Sequence, residues 1–428
     1  MNKYIQESLK YILRSNVVIS PYIRQINRLY ALNAEELYNY NEKRFLKIFR
    51  RAITKSVFYK KLYSEHSITI NDVTSLKDII KLPKIEKKMV NVNPKALLTV
   101  PGFFIPESHT SGTTGAPLIV YNDYFSCLRE QAYHYVFRER RGFKYGQRMV
   151  SLRGHLGREQ MKLKVHISNT LYLSSYQINE DNIEKYYHEI LSFNPVAIEG
   201  YPSSLYNMCF LFKNKNLKLN ISRCFTSSET LFQYQRKMIE EILNTEIHDL
   251  YGNTERTICL AECMNHNGYF SQPGYSINEF KDDCIITTSL INSCFPLIRY
   301  KVDDIVSLRL PPLGTVPELS IVDSIEGRIE DVIIAKDGSL IGRLNFLFKN
   351  LSNIKLAQIL QKKKGEMIIN VVPDGIFSEN EKEKLLANID KRIGLDNINV
   401  NVSLVDDREI IYTNRNKFRQ VISDIKHA

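Results

Sequence analysis

The chain has 428 residues, of which 43% are hydrophobic and 25% charged, as in an ordinary globular protein long enough for at least two domains. No apolar run approaches the roughly 20 residues that cross a bilayer. The first residues carry Lys and Arg throughout, unlike a signal peptide. We therefore expect a cytoplasmic protein without a transmembrane segment.

The formal net charge of +11 and the pI near 9.1 suit an anionic partner. The basic residues are spread along the chain, with only short clusters such as residues 362–364. A basic tail and the alternation of aromatic and basic residues that follows a nucleic acid strand are both missing. We predict a basic surface around phosphate-handling sites and no nucleic acid partner.

Seven cysteines in a chain of this size favour a reducing compartment over a disulfide framework. Cys259, Cys263 and His266 have a C-x3-C-x2-H spacing, which is not a standard zinc arrangement. Two interpretations remain open. The three residues bind a metal, or the cysteines are ordinary semi-buried thiols near a loop, and the second interpretation is favoured.

Helical and strand patterns alternate along most of the chain. Residues 1–95 are predicted to be mainly helical, for example where Phe45, Ile48 and Phe49 recur at helical spacing. Between about residues 100 and 325, strand-like runs at 196–198 and 284–288 alternate with a helical pattern at 233–243. This alternation predicts an α/β domain with mixed sheets flanked by helices.

The pattern changes from residue 325 onward. A turn at 336–338 follows a short apolar run, and strands are predicted at 366–372 and 398–405. A helix is predicted at 381–393, with Ser378 and Glu381 at capping-box spacing. We predict a large N-terminal domain (1–326) and a small, mobile α+β C-terminal domain (327–428).

A segment rich in glycine and hydroxyl groups follows His109. Its backbone can approach an anion closely, and its hydroxyls can donate to phosphate oxygens. It is not a Walker loop, since no G-K-[ST] follows, and a flexible turn remains the alternative. The segment consists of Thr110, Ser111, Gly112, Thr113, Thr114 and Gly115.

Two further segments carry carboxylates in strand-end contexts. Glu255 follows the apolar run through Leu250, where a carboxylate can hold Mg²⁺ while phosphate and water fill its other positions. Tyr251 in the same segment can stack on a purine. Asp304 follows a second such run, and a carboxylate there can accept hydrogen bonds from a ribose diol. In isolation, a solvated turn is the alternative for each segment.

Two basic segments near the C-terminus are weaker signals. Arg328 lies in a charged turn at the predicted domain boundary, and Lys417 lies in a polar stretch near the end of the chain. Taken alone, each is best explained as a solvated charge.

The order and spacing of these five segments resemble the core motifs of the adenylate-forming superfamily, which includes acyl-CoA synthetases, adenylation domains and luciferases. Within this superfamily, the segments most resemble those of the phenylacetate–CoA ligase-like and capsular polysaccharide synthesis branch. Segments at 200–205, 226–231, 287–290 and 417–422 resemble that branch as well. The resemblance extends from about residue 100 to the end.

The resemblance implies a role for each segment. The loop from Thr110 to Gly115 would hold the ATP β- and γ-phosphates. Ser228 and Glu229 would lie near the adenine, with Tyr251 stacked on it. The remaining implied contacts are Thr254 with the α-phosphate, Glu255 with Mg²⁺, Asp304 with the ribose, Arg328 with the ribose or phosphate, Glu330 at the hinge, and Lys417 between the carboxylate and the α-phosphate.

The sequence departs from the family at several positions. Ala116 stands where many relatives have a lysine, and Asp303 and Asn416 replace glycines beside Asp304 and Lys417. Several relatives carry a C-x-C-G element after the ribose aspartate, but residues 310–314 contain no thiol. The resemblance therefore predicts no zinc at Cys263.

The resemblance implies an ATP- and Mg²⁺-dependent ligase that activates a carboxylic acid as an acyl-adenylate. The acyl acceptor is either CoA or an amine, and resemblance to the capsule branch favours surface-polysaccharide synthesis. The acid would bind near residues 200–202 and 153–155. A non-catalytic nucleotide- or acyl-binding relative, acting as a scaffold or partner-binding module, is the alternative from a different class.

Overall fold

The computed structural model describes residues 7, 11, 16–101, 105–109, 118–154, 156, 160–229, 231, 233–281, 284–308, 322–326, 332–341, 344–348, 351, 353–373, 375–411 and 421–425. Within them the α-helices are α1 (Asn16–Ala31), α2 (Ala34–Lys55), α3 (Val57–Glu65), α4 (Lys87–Val92), α5 (Tyr124–Glu139), α6 (Ile183–Phe193), α7 (Pro202–Asn214), α8 (Gln233–Leu243) and α9 (Glu379–Arg392).

The strands belong to one large sheet, two short pairs and one small sheet. Up to the predicted boundary they are β1 (Glu107–His109), β2 (Ile119–Tyr121), β3 (Met149–Arg153), β4 (Lys162–Val165), β5 (Thr170–Ser174), β6 (Ala197–Gly200), β7 (Arg223–Ser227), β8 (Glu246–Gly252), β9 (Cys259–Glu262), β10 (Tyr269–Ser271), β11 (Ser276–Lys281), β12 (Cys284–Ser289), β13 (Tyr300–Leu308) and β14 (Val322–Glu326). Beyond it they are β15 (Ile333–Ile334), β16 (Leu340–Ile341), β17 (Ile354–Gln361), β18 (Glu366–Pro373), β19 (Asn399–Leu404) and β20 (Val421–Ser423).

The N-terminal region is helical and packs on the later strands. In α2, Asn33 caps the first turn in a capping box with Glu36. Phe45 and Phe49 of this helix are fully buried in one core with residues of β12 and β13. The helical periodicity therefore reflects an apolar face that α2 buries against the sheet.

The strand order of the large sheet is β11-β12-β13-β14-β10-β9-β8-β7-β6-β3-β5-β4 in the part of the chain that the structure describes. Five adjacent strands, β5, β3, β6, β7 and β8, run parallel. Helices α7 and α8 connect β6, β7 and β8 in the manner of βαβ units. The flanking strands pair antiparallel, so the sheet is mixed, as predicted.

The small sheet has the order β19-β18-β17-β20. Helix α9 begins after Ser378, whose hydroxyl accepts a hydrogen bond from the backbone N–H of Glu381. Leu385 and Ile389 of α9 are fully buried in a core formed with β15 to β18 and with Leu344, Leu347, Phe348 and Leu351. This core is distinct from those of the large sheet.

The predicted fold class, an α/β protein with mixed sheets and a small α+β unit, is confirmed. Helix α8 has the predicted bounds, and α9 begins two residues earlier than predicted. Among the helices that the structure describes, none combines the length and apolarity needed to cross a membrane.

Candidate functional site

The parallel strands bring several predicted segments to one edge of the sheet. Strand β6 ends at Gly200, β7 at Ser227 and β8 at Gly252. Because adjacent parallel strands end at the same edge, the residues that follow them lie near one another. Ligands of open α/β sheets bind at this edge.

Ser228 and Glu229 directly follow β7. Ser228 has a left-handed backbone with φ of 71°, which turns the chain sharply at the strand end. Oε2 of Glu229 accepts a 3.1 Å hydrogen bond from the backbone N–H of Ser203, in the first turn of α7. Oε1 of Glu229 is buried, with no hydrogen-bond partner among the described residues. Glu229 thus links two segments and keeps one acceptor for a further donor.

Two tyrosine–carboxylate pairs join the end of β8 to β13. The Tyr251 hydroxyl donates a 2.6 Å hydrogen bond to Oδ2 of Asp304. The Tyr300 hydroxyl donates a 3.0 Å hydrogen bond to Oε1 of Glu255. In each segment the tyrosine precedes the carboxylate by four residues, and each tyrosine contacts the carboxylate of the other segment. The structure therefore brings three of the predicted residues, Tyr251, Glu255 and Asp304, into one cluster.

The turn after β8 is fixed by local contacts. Oδ1 of Asn253 accepts a 2.9 Å hydrogen bond from the backbone N–H of Thr257, and its Nδ2 donates to Oγ1 of Thr257 at 2.7 Å. Arg256 adopts a left-handed backbone with φ of 55°. Thr254 lies exposed between these anchors, where its hydroxyl can reach a ligand.

A cavity of about 590 Å³ opens at the same edge of the sheet. Both segments expected near the acid contribute to its lining, Arg153 and Gly154 on one side and Gly200 and Tyr201 on another. The other lining residues are His134, Phe137, Arg138, Ser151, Leu152, Tyr176, Glu199, Phe225, Thr226, Ser227, Ser228, Leu250, Asn388, Lys391 and Arg392.

A partly buried charge cluster forms part of the cavity wall. Glu199 pairs with Arg138 and accepts a 2.8 Å hydrogen bond from the Ser151 hydroxyl. Burial alone would raise the pKa of Glu199, but Arg138, Arg153 and the Ser151 hydroxyl outweigh it and hold the pKa below its usual value. This wall is therefore charged at neutral pH. Sequence reasoning missed Arg138 and Glu199, since neither lies in a recognisable motif.

The C-terminal helix α9 closes one side of the cavity. The Arg392 guanidinium donates to the Tyr176 hydroxyl and lies over the Tyr176 ring, 4.7 Å from its centroid. Gly154 lies directly against the same tyrosine, since a Cβ at this position would come within 2.3 Å of the Tyr176 hydroxyl. Only glycine therefore permits this position of Tyr176.

Several predicted residues fall outside the described residues. They are the phosphate-loop residues Thr110, Ser111, Gly112, Thr113, Thr114 and Gly115, the boundary residues Arg328 and Glu330, and Lys417.

The cysteine segment does not form a metal-ligating group among the described residues. Cys259 is fully buried, and its sulfur accepts a 2.9 Å hydrogen bond from Nε2 of Gln272. Burial raises the pKa of the Cys259 thiol well above its usual value, which suits an inert thiol. His266 instead lies near Glu246 and His248, a juxtaposition that the C-x3-C-x2-H spacing did not indicate.

Comparison with known proteins gives matches to a protein family, to a relative and to solved structures. Residues 333–424 match the CapK C-terminal domain family. Protein CapK of Staphylococcus aureus is 24% identical over 341 residues, which cover 76% of this chain and 74% of the relative.

Solved structures share the fold at low sequence identity. A 2-hydroxyisobutyryl-CoA ligase in complex with 2-HIB-AMP and CoA, in the thioesterification state, matches with a TM-score of 0.60 and 16% identity, covering 92% of this chain and 91% of that one. The same ligase in the postadenylation state with R3-HIB-AMP matches with a TM-score of 0.55 and 16% identity, covering 89% and 88%.

Proposed function

The chain is a CapK homologue with the fold of the adenylate-forming ligases, and from this premise we propose that it is an ATP-dependent, AMP-forming ligase. A carboxylate oxygen attacks the α-phosphorus of ATP, the bond to the β-phosphate oxygen breaks, and pyrophosphate leaves. The acyl-adenylate then passes its acyl group to CoA or to an amine, with release of AMP.

The observation that carries this proposal is the pair of crossed contacts, Tyr251 with Asp304 and Tyr300 with Glu255. They join a ring suited to purine stacking, a ribose acceptor and a magnesium ligand between the carboxyl end of β8 and β13 of the mixed sheet, beside a cavity of about 590 Å³. A nucleotide needs these three chemistries within its own length.

Glu229 supports the adenine end of the proposed site. Its Oε1 has no partner among the described residues and would accept a hydrogen bond from the adenine amino group once the nucleotide displaces the groups that cover it. Thr254, exposed after β8, would contact the α-phosphate. Three further segments would complete the site. We propose that residues 110–115 hold the β- and γ-phosphates, that Arg328 contacts the ribose or phosphate, and that Lys417 bridges the carboxylate of the acid and the α-phosphate.

Glu255 fits a magnesium ligand. Oε1 accepts the Tyr300 hydroxyl, which orients the carboxylate, and Mg²⁺ prefers one or two carboxylates together with phosphate oxygens and water. The ion would offset the repulsion between the carboxylate and the phosphates. No general base is needed, because the acid is already ionised at neutral pH. The side chains need only align the reactants and balance charge.

We also propose a division into a nucleotide- and acid-binding domain (1–326) and a small domain (327–428) that carries Lys417. The separate core around α9 and the contact of Arg392 with Tyr176 support two units that meet at the cavity. Withdrawal of the small domain after adenylation would let a second face present the acceptor.

The acceptor and the pathway are the finer parts of the proposal. Homology to CapK supports a role in surface-polysaccharide synthesis, where either an amino sugar or CoA would serve as acceptor. The 2-hydroxyisobutyryl-CoA ligase structure contains CoA, which makes CoA the first acceptor to test.

The test is a pyrophosphate-release screen with Mg·ATP over aromatic acids, sugar acids and amino acids, run with CoA, with amines and with neither. We expect release with one class of acid, and Lys417→Ala should abolish it while ATP binding persists. Exposed Lys185→Ala on α6, outside the cavity lining, is the matched control. Binding of Mg·ATP without release for any acid would favour the non-catalytic alternative.

A further inference from the structure

Three side chains with metal-ligating atoms meet far from the proposed nucleotide site. Glu246 and His248 lie at the start of β8, and His266 lies in the turn between β9 and β10. One ligand atom from each lies within 4.8 Å of the others. Nε2 of His266 is 3.5 Å from Oε1 of Glu246, and Nε2 of His248 is 3.7 Å from Oε2 of the same carboxylate.

His248 provides an independent indication of a missing partner. Its side chain is fully buried, and neither ring nitrogen has a hydrogen-bond partner among the described residues. Buried imidazole nitrogens are normally satisfied, because an unpaired polar atom removed from water destabilises the fold. A metal ion bound by one of the nitrogens would supply the partner.

We propose that Glu246, His248 and His266 bind a divalent transition-metal ion, with Zn²⁺ the ion best matched to the donors. Two imidazoles and one carboxylate are ligands that zinc accepts, with bonds of about 2.0–2.2 Å and water in a fourth position. Tetrahedral geometry at these lengths separates ligand atoms by roughly 3.3–3.5 Å. The two histidine–carboxylate separations of 3.5 and 3.7 Å are near this range, and the three ligand atoms, which lie within 4.8 Å of one another, would move closer together on binding.

A second carboxylate can orient one of the histidines. Oε2 of Glu262 lies 3.4 Å from Nδ1 of His266. Nη1 of Arg236 lies equally close to Nδ1, at 3.4 Å, and is a competing donor to it. Zinc binding at Nε2 would select the tautomer with the proton on Nδ1, donated to Glu262, which is the usual carboxylate–histidine–metal arrangement.

Nearby arginines oppose a cation. Arg236 pairs with Glu262, and Nη1 of Arg223 lies 3.6 Å from Oε2 of Glu246. The two carboxylates offset this charge. Binding of the ion would draw Glu246 away from Arg223.

The position indicates a structural ion rather than the catalytic magnesium. Glu246 and Gly252 are the two ends of β8, and six residues of strand rise separate them by about 20 Å. The ion would tie β8 to the turn after β9, and so brace the strand that leads to Tyr251 and Glu255. The proposal does not depend on the proposed ligase activity.

The experiment uses the full chain without a polyhistidine tag, stripped with EDTA and titrated with Zn²⁺ by calorimetry and by competition with a chromophoric chelator. We expect one tightly bound ion per chain. Glu246→Gln and His266→Gln replace partly exposed side chains and leave the core intact. Loss of a side chain that merely orients a metal ligand raises the Kd for the metal roughly 10–100-fold. Each of these variants loses a ligand itself, so its Kd for Zn²⁺ should rise by at least as much.

His188→Gln, an exposed histidine on α6, is the matched control and should bind zinc like the wild type. Cobalt substitution should give the visible absorption of a tetrahedral site, and His266→Gln should lose it. The proposal would be overturned if the wild type failed to bind one ion, or if Glu246→Gln and His266→Gln both bound zinc as tightly as the wild type.

Discussion

The Tyr251 hydroxyl donates a 2.6 Å hydrogen bond to Asp304, which joins a ring suited to stacking on a purine to a carboxylate suited to a ribose. The bond reaches from the end of β8 to β13. In the proposed nucleotide complex, the tyrosine would therefore orient the carboxylate that meets the ribose hydroxyls.

Asp304→Asn tests the ribose contact. Loss of a hydrogen bond to a charged group costs about 1.5–3 kcal/mol, so the Kd for ATP should rise about 10–100-fold. Tyr251→Phe keeps the ring and loses only the hydroxyl, so its effect should be a few-fold. Calorimetric titration with Mg·ATP measures both, and exposed Asp396→Asn should leave the Kd unchanged. An Asp304→Asn variant with wild-type affinity would remove Asp304 from the site.

Glu255→Gln tests the magnesium role. Removing one electrostatic contact to the reacting phosphates should lower the rate of pyrophosphate release about 10²–10³-fold, with partial recovery at high Mg²⁺. Tyr300→Phe keeps the carboxylate but removes the hydrogen bond that orients it. The rate of pyrophosphate release at saturating Mg²⁺ should therefore stay near that of the wild type, and only the Mg²⁺ concentration needed to reach it should rise. Exposed Glu383→Gln on α9 is the control. Mg²⁺ dependence unchanged in Glu255→Gln would contradict the assignment.

Glu229 allows a test of base recognition. If its Oε1 accepts from the adenine amino group, the enzyme should prefer ATP to ITP, which has a carbonyl oxygen there. Glu229→Ala should reduce this preference about tenfold. It also removes the acceptor of the Ser203 N–H, which costs about 1 kcal/mol of stability. The ratio of kcat/KM for the two nucleotides separates the effects, because helix destabilisation alone leaves the ratio unchanged.

The sequence predicts those parts of the molecule whose signals are local. The periodicity of residues 233–243 predicts α8 with its observed bounds, because one apolar face repeats within the segment. The placement of Ser228, Tyr251 and Glu255 at one edge follows from alternating strands and helices, since parallel strands end together.

Contacts between distant residues could not be predicted in this way. Arg138 and Glu199 meet across 61 residues and carry no motif. The proximity of His248 to His266 depends on the register that sets Leu250 opposite Ala261. A one-residue change of register would turn these side chains to the other face, and sequence spacing does not encode register.

Asp249 should make stability depend on pH. Burial raises its pKa to about 6 from 3.8; the proximity of Glu262 also raises it, while Thr226, Tyr269 and Arg236 lower it. The folded state therefore keeps a proton that the unfolded state releases, and this stabilisation is full below about pH 4 and is lost as the pH rises through 6.

The asparagine side chain of Asp249→Asn cannot ionise, so the stability of this variant does not fall as the pH rises through 6. The free energy of unfolding of the wild type, relative to the variant, should fall by about 1–3 kcal/mol between pH 4 and 7. Urea denaturation over this pH range measures the difference. For the control Asp396→Asn, the difference in unfolding free energy from the wild type should be the same at every pH. A pH-independent difference for Asp249→Asn would show that Asp249 keeps its ordinary pKa in the fold.

The contact between Arg392 and Tyr176 should hold the proposed small domain against the large one. A guanidinium that both donates to the hydroxyl and lies over the ring contributes about 1–2 kcal/mol. Arg392→Ala should therefore shift the equilibrium toward separated domains by about fivefold or more. Limited proteolysis should then cleave near residue 327 at a correspondingly higher rate. Gly154→Ala should act similarly, because its Cβ displaces Tyr176. Lys391→Ala, beside Arg392 but exposed, should cleave like the wild type, and equal rates for all three variants would show that this contact does not hold the domains together.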